Sequence, residues 1–181
     1  MFIQTEATPN PATLKFLPGR EVMAKGTANF TAATEAHASP LARRLFSIEG
    51  VTGVFLGGDF VSVTKADDRD WPVIKPRVLG AVMEHFTSGD PAVAEISVDA
   101  PVIEEDGVSA QIRELIETRV RPAVAQDGGD IVFKGFKDGV VLLHMQGACR
   151  GCPSSTATLR NGIENMLRYY VPEVREVRPV D

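Results

Sequence analysis

Residues 89–107, GDPAVAEISVDAPVIEEDG, hold six carboxylates, two prolines and no basic residue. Such a stretch repels itself and lacks a helical apolar stripe, so it reads as an extended acidic linker; the alternative is a surface loop with a short strand over residues 93–98. On either reading it divides the 181-residue chain, and each part must bury a core of its own. The expected organisation is α+β, two small α+β domains over residues 1–88 and 108–181 joined by the linker at 89–107. Hydrophobic residues at 44% and charged residues at 24% suffice for packed cores. Taking the six linker carboxylates from the 24 acidic residues leaves 18 against 19 basic ones, so the net charge of -5 belongs largely to the linker. With no basic stripe and few aromatics, nothing suggests nucleic-acid binding. No apolar run reaches the roughly eighteen residues of a membrane span, and the opening MFIQTEATPNP lacks a basic region followed by an apolar one. No membrane association and a reducing compartment are expected: cytoplasm, or mitochondrial matrix for a processed mature chain.

After the linker, Ile112, Leu115, Ile116, Val120, Ala123 and Val124 repeat at helical spacing until QDGG ends the helix at Gly128 and Gly129, with Pro122 a candidate kink. IVFKGF and VVLLHM follow, joined by Lys137-Asp138-Gly139, an Asp-Gly signal for a hairpin. Leu159, Ile163, Leu167 and Tyr170 mark a second helix, opened near Pro153 and Ser154-Ser155-Thr156 and stopped by Pro172, and VREVRPV alternates like a half-exposed strand. The predicted order is helix, strand, strand, helix, strand.

In the N-terminal part FIQTE and TLKFLP read as strands around the turn-rich TPNPA. Residues 40–48 form a short helix, VTGVFLGGDFVSVTK a hairpin turning at Gly57-Gly58-Asp59, and residues 73–86 a closing helix. No nucleophile or ligand cluster stands out there, and His37 and His85 read as surface histidines.

Both cysteines of the chain, Cys149 and Cys152, lie in HMQGACRGCPSSTATL, between the second strand and the second helix. In a reducing compartment a C-x-x-C pair reads as metal-binding or catalytic rather than as a staple. Its bite suits soft metal centres, and Gly147 and Gly151 leave room for one to approach the backbone. The positive end of the following helix favours thiolate, and Arg150 adds positive charge; the helix contribution, about 0.3–1 kcal/mol, tunes a site but does not hold a metal. Three readings stand. A thiol-disulfide oxidoreductase would need a thioredoxin-like framework, of which only one strand remains after the helix. A zinc site would need two more ligands, and His144 alone is near. A zinc-linked dimer or an iron-sulfur cluster shared by two chains would draw two thiolates from each.

The stretch DGGDIVFKGFKDGVVLLHMQGACRGCPSSTATLRNGIENMLRYYVPEV, residues 127–174, closely resembles the C-terminal domain of NifU-like proteins. MFIQTEATPNPATLKFLPG, SPLARRLFSIEGVTGVFLGGDFVSVTK and DWPVIKPRVLGAVMEHF look like the N-terminal domain of Nfu proteins. The resemblance spans nearly the whole chain outside the linker, and G-x-C-x-x-C-P-S-S with DGGD upstream is far more selective than a bare C-x-x-C. It implies a non-enzymatic scaffold or carrier that holds a [4Fe-4S] cluster between two subunits through Cys149 and Cys152. By the same resemblance the chain is a homodimer when loaded, receives its cluster from upstream assembly machinery and passes it to apo-proteins.

Overall fold

The computed structural model describes residues 1–94, 106–150 and 156–180. Its N-terminal half is a five-stranded antiparallel sheet in the order β1-β2-β5-β4-β3, built from β1 (Gln4–Ala7), β2 (Thr13–Leu17), β3 (Ala28–Phe30), β4 (Val51–Leu56) and β5 (Val61–Lys65). Strand alternation sorts its two faces. Phe16, Val54, Leu56, Val61 and Val63 point into a core closed by α1 (Pro40–Phe46) and α2 (Trp71–Ser88). Lys15, Phe55 and Ser62 alternate with them and so occupy the other face.

Helix α1 starts at Ser39, whose hydroxyl accepts from the Ala42 N–H at 3.0 Å and donates to the Ala92 carbonyl at 2.5 Å. The chain leaving α2 is thereby pinned back onto the N-terminal core, and Ala92 is buried there. In α2 the inward stripe is Ile74, Val78, Val82 and His85, spaced by four, four and three residues. His85 is therefore not a surface histidine but 0% exposed, because it extends an apolar stripe. Neither ring nitrogen completes a hydrogen bond, and burial, with Arg44 adding to it and Asp90 opposing, lowers the imidazole's pKa. Strand β3 and a 3₁₀ turn at Ala33–Ala38 were not legible in the polar, small-residue stretch between the expected elements.

The C-terminal half follows the predicted order. Helix α3 (Gly107–Leu115) is capped by the Asp106 carboxylate, which accepts from the Ser109 N–H at 2.7 Å. It runs through a π-helical turn at Ile116–Val120 into α4 (Arg121–Gln126). Pro122 has no N–H to offer, and the widened turn answers this: the Arg121 N–H reaches back five residues to the Ile116 carbonyl. Ile112, Ile116, Val120 and Val124 still form one buried stripe, while Ala123 turns outward. Strands β6 (Gly129–Lys137) and β7 (Val140–Gly147) make the hairpin, with positive φ at Asp138 and Gly139 as a tight primed turn requires. Helix α5 (Thr156–Tyr170) returns the chain so that β8 (Glu176–Val180) pairs parallel with β7. Ile163, Leu167 and Val171 are buried, whereas Tyr170, read as the end of that stripe, is 39% exposed. The extended linker and its alternative strand fall mainly on residues 95–105, outside the described residues.

Candidate functional site

The register of the β6–β7 hairpin builds the site. Its closed end is the Asp138-Gly139 turn; its open end pairs Gly129 with Gly147. The turn that follows α4 and the turn that carries Cys149 out of β7 are therefore neighbours. The Ala148 N–H bonds to the Gly128 carbonyl at 3.2 Å, and the Arg150 N–H closes the second turn on the Gly147 carbonyl at 3.1 Å. Cys149 is 6% exposed and belongs to the C-terminal core. A Cβ placed on Gly129 would lie 2.5 Å from the Cys149 Sγ and 2.9 Å from the Gln146 carbonyl, so the sulfur fills the space a side chain would take. Gly147, at φ +62°, is constrained twice: a Cβ there would meet the Gly128 carbonyl at 2.7 Å.

Asp130, 3% exposed, anchors this open end. It accepts from Arg121 Nε at 2.8 Å and Nη2 at 2.7 Å, from the Thr27 hydroxyl at 3.0 Å and from the Ile131 N–H at 2.8 Å. Arg121 also binds the Glu117 carboxylate, and Asp130 above all holds the guanidinium even more firmly protonated than usual. A buried carboxylate is tolerated only when so many donors surround it. The π turn thus aims Arg121 at the strand that backs the cysteine.

Hydrogen bonds from the N-terminal half reach this region. Ser62 Oγ donates to the Gly128 carbonyl at 2.6 Å, Lys15 Nζ to the Gln126 carbonyl at 3.2 Å, Thr27 to Asp130, and Asn10 Nδ2 to the Arg150 carbonyl at 3.2 Å. Phe55 packs tilted against Phe60, and both rings are buried although neither belongs to the N-terminal core. Sequence reasoning passed over Asn10, Lys15 and Ser62, and met Asp130 only as the last residue of DGGD. The usable signal was Phe55, an aromatic whose neighbours across that face, Ser62 and then Lys15, are polar.

Of the residues singled out earlier, Cys149 lies on this loop, and Arg150 is exposed and lines a 190 Å³ cleft between the two sheets, shared with Thr31 and Thr64. His144 is half-buried, its Nδ1 3.1 Å from the Val180 carbonyl, which occupies it within the sheet. His37 is exposed on the 3₁₀ turn. Cys152 and Pro153, Ser154 and Ser155 lie outside the described residues. Among the described residues no three His, Cys, Asp or Glu side chains gather to hold a metal. The whole chain has two cysteines, so one chain supplies at most two thiolates to any centre.

The chain is thus a two-domain α+β protein whose Cys149-bearing turn leaves the open end of a hairpin, backed by a diglycine turn. The chain belongs to the Nfu/NifU scaffold family: residues 3–89 match the family model described as "Scaffold protein Nfu/NifU N terminal", and residues 112–178 match "NifU-like domain". It is 51% identical over 183 residues to the human protein named "NFU1 iron-sulfur cluster scaffold homolog, mitochondrial", covering 99% of this chain and 72% of that one. The Drosophila erecta protein of the same name is 52% identical over 184 residues, with 99% of this chain and 65% of that one covered. The chain thus spans 65% of the length of this fly relative. A NifU-like protein from Saccharomyces cerevisiae, solved by NMR, is 24% identical at a TM-score of 0.49, covering 53% of this chain and 87% of its own.

Proposed function

We propose that this chain is a non-enzymatic iron-sulfur scaffold and carrier whose cargo, a [4Fe-4S] cluster, is held between two subunits by Cys149 and Cys152 of each. The observation that carries the reading is the placement of Cys149 on a glycine-lined turn, in a chain whose two thiols stand three positions apart in sequence. Two thiols per chain make half of a four-thiolate shell, and a second copy supplies the other half. A cluster clamped at a subunit seam by two short loops is released by exchanging its thiolates for those of an apo-protein, which suits a carrier better than a resident cofactor. Upstream assembly machinery is the supplier on this reading, and apo iron-sulfur proteins the recipients. Domain limits of 1–88 and 108–181 around a linker at 89–107 complete the proposal. The relatives' names carry the word mitochondrial, which supports the matrix over the cytoplasm as the working compartment.

Anaerobic reconstitution of the full chain with iron and sulfide tests this. A broad visible absorption band, one cluster per two chains, and its loss in both Cys149→Ser and Cys152→Ser are expected. A colourless dimer containing zinc would establish the zinc-linked alternative. A titratable disulfide with insulin-reducing activity would establish the oxidoreductase.

A further inference from the structure

The outer face of the N-terminal sheet closes over the cysteine-bearing loop. Ser62, 1% exposed, grips the Gly128 carbonyl on one side of Cys149, and Asn10, 5% exposed, grips the Arg150 carbonyl on the other. Between them the Phe55 ring lies against Gly147, where an added Cβ would come within 3.1 Å of it. Lys15, 8% exposed, completes the contact at Gln126 while its ammonium sits 4.9 Å from the centre of the Phe60 ring and 3.5 Å from a Glu6 carboxylate oxygen. A lysine, a serine and an asparagine are seldom this deeply buried without partners, and here the partners are backbone carbonyls of the other domain. These polar groups mark a fitted contact, yet one made of a few hydrogen bonds of modest net worth rather than of a continuous apolar core, so it can part.

We propose that the N-terminal domain is a cover on the thiol loop, and that it must lift before the loops of two chains can meet. The contact with the loop stands on the geometry; the shielding of Cys149 is what the proposal adds, and its consequence for cargo rests on the scaffold reading above. Closed, the chain is a monomer with Cys149 withheld. Open, it presents the loop to a second copy.

The test follows alkylation of Cys149 by iodoacetamide, read by mass spectrometry, in the full-length apo chain carrying Cys152→Ser so that one thiol is counted. Ser62→Ala deletes one donor. Asn10→Asp deletes the other and keeps the Oδ1 acceptor that the Ala12 N–H uses at 3.0 Å, so the local turn survives. We expect alkylation at least tenfold slower than in the urea-unfolded chain, and at least tenfold faster in the Ser62→Ala/Asn10→Asp double variant than without it. The radius of gyration by small-angle scattering should rise in the same double variant. Ser62→Ala alone, a single-oxygen change, should move both readouts in the same direction and guards against misfolding of the double variant. Unchanged alkylation and size in the variants, or alkylation of the parent as fast as in urea, would overturn the cover. Failure of the scaffold reading is separate: a protected thiol in a chain that takes up no cluster upholds the cover and removes its link to cargo.

Discussion

At Gly129 one hydrogen separates a working turn from a collision. Gly129→Ala would put a methyl group where the Cys149 sulfur lies, at 2.5 Å, and the sulfur or the backbone of Gln146 must move. Overpacking of this kind costs about 1–3 kcal/mol. The expected outcome is a folded protein, by circular dichroism, with a lower melting temperature and little or no visible band after reconstitution; an unaltered band would mean that the turn does not set the thiol. His85 makes a second test. As pH falls through 6.5 the unfolded imidazole takes a proton while the buried one, its pKa lowered, resists, so the unfolded state binds more protons. Stability is complete above that pH and declines below it. His85→Leu, close in volume and free of polar nitrogens, should flatten the difference between melting temperatures at about pH 7.5 and about pH 5.5. The helical stripe of Ile74, Val78 and Val82 already pointed at His85; its polar ring hid the fact, because composition alone assigns histidine to the surface.

Elements were legible where periodicity was long and punctuation strong. The α3–α4 stripe, the Asp-Gly hairpin and the α2 helix follow from repeats of apolar residues and from prolines and glycines at their ends. Three-residue β3 carries too little pattern to announce itself, and the parallel pairing of β8 with β7 is a long-range fact that no local spacing encodes. One boundary moves with consequence. A C-terminal domain begun at Val108 loses the Asp106 carboxylate that caps α3. Such a cap satisfies an otherwise unpaired N–H of the first turn, so a fragment of residues 106–181 should unfold at higher urea than one of residues 108–181. Equal midpoints would show that the cap contributes nothing.

The whole molecule was the least legible scale, because a polar strand face suits water and a neighbouring domain equally well. Each half has a core of its own, with its own sheet and helices, and the scaffold proposal extends to a division of labour: the N-terminal domain selects recipients and the C-terminal one holds the cargo. Deleting residues 1–88 should leave cluster content per chain unchanged and slow transfer to some apo-proteins more than to others, measured with two different recipients. Loss of assembly, or no effect on any transfer rate, would remove that role. Chain order gives the docked sheet a further meaning. Strands β1 to β5 are complete by Lys65, long before Cys149 is translated, and domains made first fold first. On the proposed cover, the cysteine-bearing loop therefore leaves the ribosome to meet a sheet that is already folded, and the contact needs no waiting partner.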